Sequence, residues 1–148
     1  MEPWVYPALM AAALIATHYL LLRAASGRLG DALGALVLEG TAALGIALFW
    51  LVRGRFSPLP TTRAGIVYAA LSGLAISGAS VLIFAALRKG GPISSTGTLV
   101  LGGGVALSAL AAPLFFSEGI TLRRLVGVGL GLVGMVILAT EASPDPAP

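Results

Sequence analysis

Long apolar runs alternate with short polar breaks along the whole chain. The runs fall at Trp4 to Leu22, Leu33 to Val52, Gly65 to Leu87, Pro92 to Phe116 and Arg124 to Ala139. At about 1.5 Å per residue they have the length needed to cross roughly 30 Å of hydrocarbon. The pattern predicts helices over 4–22, 33–52, 65–87, 92–116 and 124–139, an all-α integral membrane domain spanning 1–140. Polar punctuation separates them: Arg23 to Asp31, then Arg53 to Arg63 with Ser57-Pro58-Leu59-Pro60, then Arg88-Lys89-Gly90-Gly91, then Ser117 to Arg123. The first run is read as a retained helix rather than a cleaved leader, because it is too long for a signal core and Glu2 stands where a basic residue belongs. The Pro-rich tail at 141–148 is expected to be disordered.

Composition gives the reason for the pattern. Of 148 residues 57% are hydrophobic, and counting the 20 Gly while leaving out the three Tyr brings the apolar share to about 68%, against about 45–50% in soluble proteins. Charged residues make up 10%, and there is no Asn, Gln or Cys. With so few side chains to wet a surface, lipid is the expected solvent for most of the exterior. The absence of Cys and the single His remove thiol chemistry, disulfides, Cys/His zinc sites and a His-based triad. No metal, no cofactor and no enzymatic activity are expected. The net charge of +3 comes from basic residues placed in ones and twos at the ends of apolar runs. They form no basic stripe of the kind nucleic acid requires, and they read as topology signals and headgroup anchors. Trp4, Tyr6, Tyr19, Trp50 and Phe56 lie near span ends and are expected to sit at the headgroup level.

An odd number of spans puts the termini on opposite sides of the membrane. One side then carries Arg53, Arg55, Arg63, Arg123 and Arg124, and the other Arg23, Arg28, Arg88 and Lys89. Orientation normally follows a clear excess of cytoplasmic Lys and Arg, and here the two sides nearly tie. Insertion with marginal bias, with two copies assembling antiparallel, is the expectation, against a weakly biased single topology.

Packing in lipid depends on close backbone approach through small residues. The third span has Gly65, Ala69, Gly73 and Ser77 at four-residue spacing, the fourth Gly104, Ser108 and Ala112, and the fifth Gly127 and Gly131 with Gly134 beyond. These seams predict a tightly packed bundle, with Gly73, Ser77, Gly127, Gly131 and Gly134 as helix-packing or dimer positions. The fourth span also holds Gly102-Gly103-Gly104 and Pro113, which cannot donate to the carbonyl of Ala109. It is expected to be the irregular helix, either hinged at Gly102, Gly103, Gly104 and Pro113 and lining a pathway, or serving as a small-residue seam.

Glu39 is the most informative residue. It lies about 9 Å inside the second span, where an acidic group costs about 2.5–3.5 kcal/mol. Ala32, Ala35, Ala42 and Ala43 share its face, while Leu33, Val37, Leu44, Leu48 and Leu51 form the opposite one, so Glu39 is expected to face the bundle interior. A carboxyl so placed can take up a proton or a cationic solute; the alternative is a structural Glu that joins two helices. His18, Thr41, Tyr68, Ser94 and Thr98 complete the candidate substrate- or proton-binding set, although many span hydroxyls bond their own helix and a lone His near a span end often serves as an anchor. Thr121 reads as the cap of the last helix, with Glu118 in the loop before it.

Three stretches carry a family resemblance. Ala86-Leu87-Arg88-Lys89-Gly90-Gly91-Pro92 is similar, with one extra residue, to the Ala-Leu, two residues, Gly-Pro turn of the drug/metabolite transporter superfamily. Phe115-Phe116-Ser117-Glu118 resembles its apolar-Gly-Glu ending with Ser117 replacing Gly, and Gly127 to Gly134 its Gly-rich last helix. The chain thus resembles a single EamA-like domain of the five-span bacterial and archaeal type over about residues 4–139. The resemblance implies half of a ten-helix transporter of a small organic solute, completed in the prokaryotic inner membrane by a second copy or a paralogue. The four-span small multidrug resistance family is a more distant likeness, through Met1, Pro3, Trp4 and Tyr6. Its binding Glu falls at Leu14 here and its penultimate-helix aromatic near Val100, so Glu39 is a substitute in a different helix. The reading from another class is a non-transporting subunit that packs against a partner membrane protein.

Overall fold

In hydrocarbon every backbone N–H and C=O must find a partner within the protein, which turns a long apolar run into a helix. The computed structural model describes residues 4–53, 61–116, 119 and 121–140. Five helices account for nearly all of them: α1 (Val5–Ala25), α2 (Asp31–Arg53), α3 (Arg63–Arg88), α4 (Ile93–Phe116) and α5 (Leu122–Ala139). All five are long and apolar enough to cross a membrane, as the apolar pattern predicts. Several run two or three residues past the predicted ends, taking in Arg23, Asp31, Arg63 and Arg123. Polar end residues are compatible with helix continuing into the headgroup layer, since a long side chain can carry its charge outward from an apolar stem. The tail at 141–148 lies outside the described residues.

The helix ends follow from local chemistry. Thr121 caps α5, its hydroxyl accepting the backbone N–H of Arg124 at 3.2 Å, as its position predicts. Gly90, with φ of 93°, takes the left-handed conformation just past α3, which a residue with a Cβ adopts only under strain.

The chain divides into two compact units, one of Ala25–Arg88 and the other of Met1–Ala24 with Lys89–Pro148. The first is the antiparallel hairpin of α2 on α3. Its buried seam joins Gly34 and Ala35 of α2 to Ser80, Ile83, Phe84 and Leu87 of α3. Gly34 is where the helices come closest: a Cβ there would lie 2.8 Å from two ring atoms of Phe84. Ala35 shares the seam, but Ala32, Ala42 and Ala43 of the face expected around Glu39 are exposed. The seam therefore runs along Gly34, Ala35, Leu38 and Glu39, a stripe about one residue round from the expected one.

In the other unit α4 packs on α5. The irregular backbone expected in the fourth span is not found: α4 runs unbroken through Gly102, Gly103 and Gly104, with Pro113 inside it. Glycine costs a helix only about 1 kcal/mol per residue, and a Cβ at Gly102 would stand 3.2 Å from the Met135 sulfur of α5. Gly102 therefore serves as a packing notch, with Gly103 at its edge. A Cβ at Gly97 would stand 3.4 Å from the ring of Tyr19 from α1. Tyr19 is accordingly buried rather than placed as an exposed anchor, whereas Trp4, Tyr6 and Trp50 are exposed as expected.

The other expected seams are uncovered. Gly73 and Ser77 of α3 and Gly127 and Gly131 of α5 are exposed, Gly134 is half-buried, and a Cβ at any of these four glycines would meet nothing within 4 Å among the described residues. Contacts within each unit fall on other stripes, where Phe84 and Met135 supply bulk that small residues opposite can receive. Replacing Gly34 by Leu is expected to lower stability by about 1–3 kcal/mol through overpacking against Phe84. Gly45→Leu, at a position with open space, should change it by less than about 0.5 kcal/mol; denaturation of both variants in mixed micelles measures the difference.

Candidate functional site

The hairpin is fastened by two polar contacts. At its membrane edge Asp31, in the first turn of α2, meets Arg88, in the last turn of α3. Arg88 donates from Nε to Oδ1 at 2.8 Å and from its terminal nitrogen to Oδ2 at 2.7 Å, the two-pronged geometry that suits guanidinium and carboxylate. Each charge also complements its own helix dipole.

Eight residues further along each helix, about 12 Å by helical rise, Ser80 of α3 donates its hydroxyl to Glu39 Oε1 of α2 at 2.5 Å. Ser80 is buried and Glu39 half-buried. Beyond this pair the seam ends, because every residue from 40 to 52 and from 61 to 78 is exposed. Glu39 thus stands at the inner end of the closed part of the hairpin.

The two other expected site residues of this unit do not gather round it. Thr41 is exposed, its hydroxyl given to the carbonyls of Val37 and Leu38, both at 2.9 Å. Tyr68 is 72% exposed. His18, Ser94 and Thr98 belong to the other unit. There His18 lies edge-on to Tyr19 with ring centroids 5.5 Å apart, Ser94 is exposed and Thr98 half-buried.

Two residues gain roles that spacing did not single out. Ser80 is one. Ser95 is the other: buried in the first turn of α4, it donates its hydroxyl to the carbonyl of Leu138 in α5 at 2.7 Å. Thr17, Ser77, Ser108 and Thr140 all bond back into their own helices. The only signal that separates them from Ser80 and Ser95 is what stands opposite, which a single helix does not encode. Among the described residues no group of three or more His, Asp or Glu is placed to hold a metal ion.

Compared with known proteins, the chain matches no family model, no curated protein and no solved structure. Its site has to be argued from its own geometry. Ser95→Ala is expected to cost about 0.6–1.7 kcal/mol, from the average to the largest value found for hydrogen bonds between membrane helices. Unfolding in mixed micelles reads this loss, with Ser94→Ala as a comparison near zero.

Proposed function

We propose that this chain is a membrane transporter that moves a small organic solute by alternating access, coupled to protons through Glu39. It works as an antiparallel pair of copies, or with a paralogue, each chain supplying one half of a ten-helix assembly of the drug/metabolite transporter kind in a prokaryotic inner membrane. The observation that carries this reading is Glu39 itself, a carboxyl well inside an apolar helix and bonded through one oxygen to a buried hydroxyl. Acidic groups at such depth are costly and characteristically serve ion or substrate pathways. The near tie of basic residues between the two sides supports an antiparallel pair, and the resemblance at Ala86 to Pro92 and at Gly127 to Gly134 supports the family.

A second reading, a subunit that binds another membrane protein without transporting, is favoured by the exposed glycines of α3 and α5. Reconstitution of the pure protein in liposomes under an imposed pH gradient separates the two. Transport predicts solute-dependent proton flux that falls at least about tenfold in Glu39→Gln, a change of about 1.4 kcal/mol or more in the barrier. Flux of wild-type size in a folded Glu39→Gln protein would remove Glu39 from the mechanism. Absence of flux with every solute tried, together with a co-purifying membrane protein, would favour the subunit.

A further inference from the structure

We propose that Ser80 is a positioning residue that holds the Glu39 carboxyl in place across the hairpin and so controls how readily it reacts, an inference that rests on the reading of Glu39 as the proton- or substrate-binding group. The argument starts from what a serine ordinarily does in a membrane helix, which is to give its hydroxyl to a carbonyl three or four residues back. Ser77, one turn earlier on α3, does this with Gly73 at 2.9 Å. Ser80 instead reaches across to Glu39 Oε1, and among the described residues it is the one span hydroxyl bonded to an ionisable side chain. Ser95 also crosses between helices, but to a backbone carbonyl, so it fastens without touching any titrating group.

The bond is placed to be selective. It occupies one carboxyl oxygen, and among the described residues no hydrogen bond reaches the other, Oε2, which is left for a proton or a ligand. The hydroxyl thereby fixes where the second oxygen points, so its loss should change how readily the carboxyl is reached.

Among the described side chains of the hairpin no other charge competes for this role. Asp31 and Arg88 hold each other about 12 Å away along the helices. Arg63 and Tyr68 lie further off, toward the opposite end of the hairpin. The group facing Glu39 from α3 is Ser80.

The test uses the full-length protein in liposomes and dicyclohexylcarbodiimide, an apolar reagent that modifies protonated carboxyls. Labelling of Glu39 is followed by mass spectrometry as a time-course profile at one pH, with Glu39→Gln as the unlabelled control. In Ser80→Ala, which frees the carboxyl from its hydrogen bond, Glu39 is expected to be labelled about tenfold faster than in wild type. Ser80→Thr, which keeps a hydroxyl, should restore the wild-type profile, and Ser95→Ala should leave it unchanged. Should Ser80→Ala not fold, Ser80→Gly removes the same hydroxyl.

An unchanged profile without the hydroxyl overturns the inference, as does a folded threonine variant that behaves like alanine. If the profile responds as expected while wild-type liposomes show no solute-dependent flux, the transport reading fails and the role of Ser80 stands.

Discussion

Lipid removes the force that holds soluble helices together. Apolar side chains are as well solvated by acyl chains as by one another, so helix pairs depend on close fit and on polar groups that find partners across the interface. The α2–α3 hairpin is built on that constraint. Phe84 fills the notch at Gly34, and two polar contacts fix the register, Asp31 with Arg88 and Glu39 with Ser80. Advancing eight residues on α2 while retreating eight on α3 carries one contact into the other. A slip of one helix past the other breaks both at once, which makes the register well defined even where the apolar surface alone is indifferent.

The two contacts differ in kind. At the edge, both partners are charged and each satisfies a helix terminus as well as its mate. Inside, a carboxyl meets a neutral hydroxyl, so Glu39 has a hydrogen-bond partner but no counter-charge among the described residues of the hairpin. A residue intended only to glue α2 to α3 has no need of charge; Ser95 performs the equivalent task between α4 and α5 with a hydroxyl and a backbone carbonyl. The extra cost of a carboxyl at this depth, about 2.5–3.5 kcal/mol by insertion measurements, is what gives the functional reading of Glu39 its weight over the structural one.

Much of the fold was legible because a helix in lipid needs nothing beyond its own sequence to form. Run length predicted five helices, Thr121 was recognisable as a cap, and Glu39 stood out by depth alone. What stayed hidden depends on register between helices. Ser80 and Ser77 are both serines on α3, and only the position of Glu39 on the neighbouring helix distinguishes them. Tyr19 near a span end looked like an anchor, yet Gly97 of α4 receives its ring. The Gly102–Gly104 run looked like a break, but Met135 of α5 lies against it and the helix continues.

The glycines make the same point from the opposite side. Four-residue spacing draws attention to Gly73, Gly127 and Gly131, where nothing stands within 4 Å, while Gly34 and Gly102, which also have a small residue four positions away in Gly30 and Ala106, do admit a neighbour. A small residue is a permission for close approach, and it has an effect only where the facing helix presents a ring or a thioether. Periodicity on one helix measures the permission. The contact requires the two surfaces together, and in this chain the bulky partners Phe84 and Met135 mark where it occurs, each beside an interhelical hydrogen bond from Ser80 or Ser95.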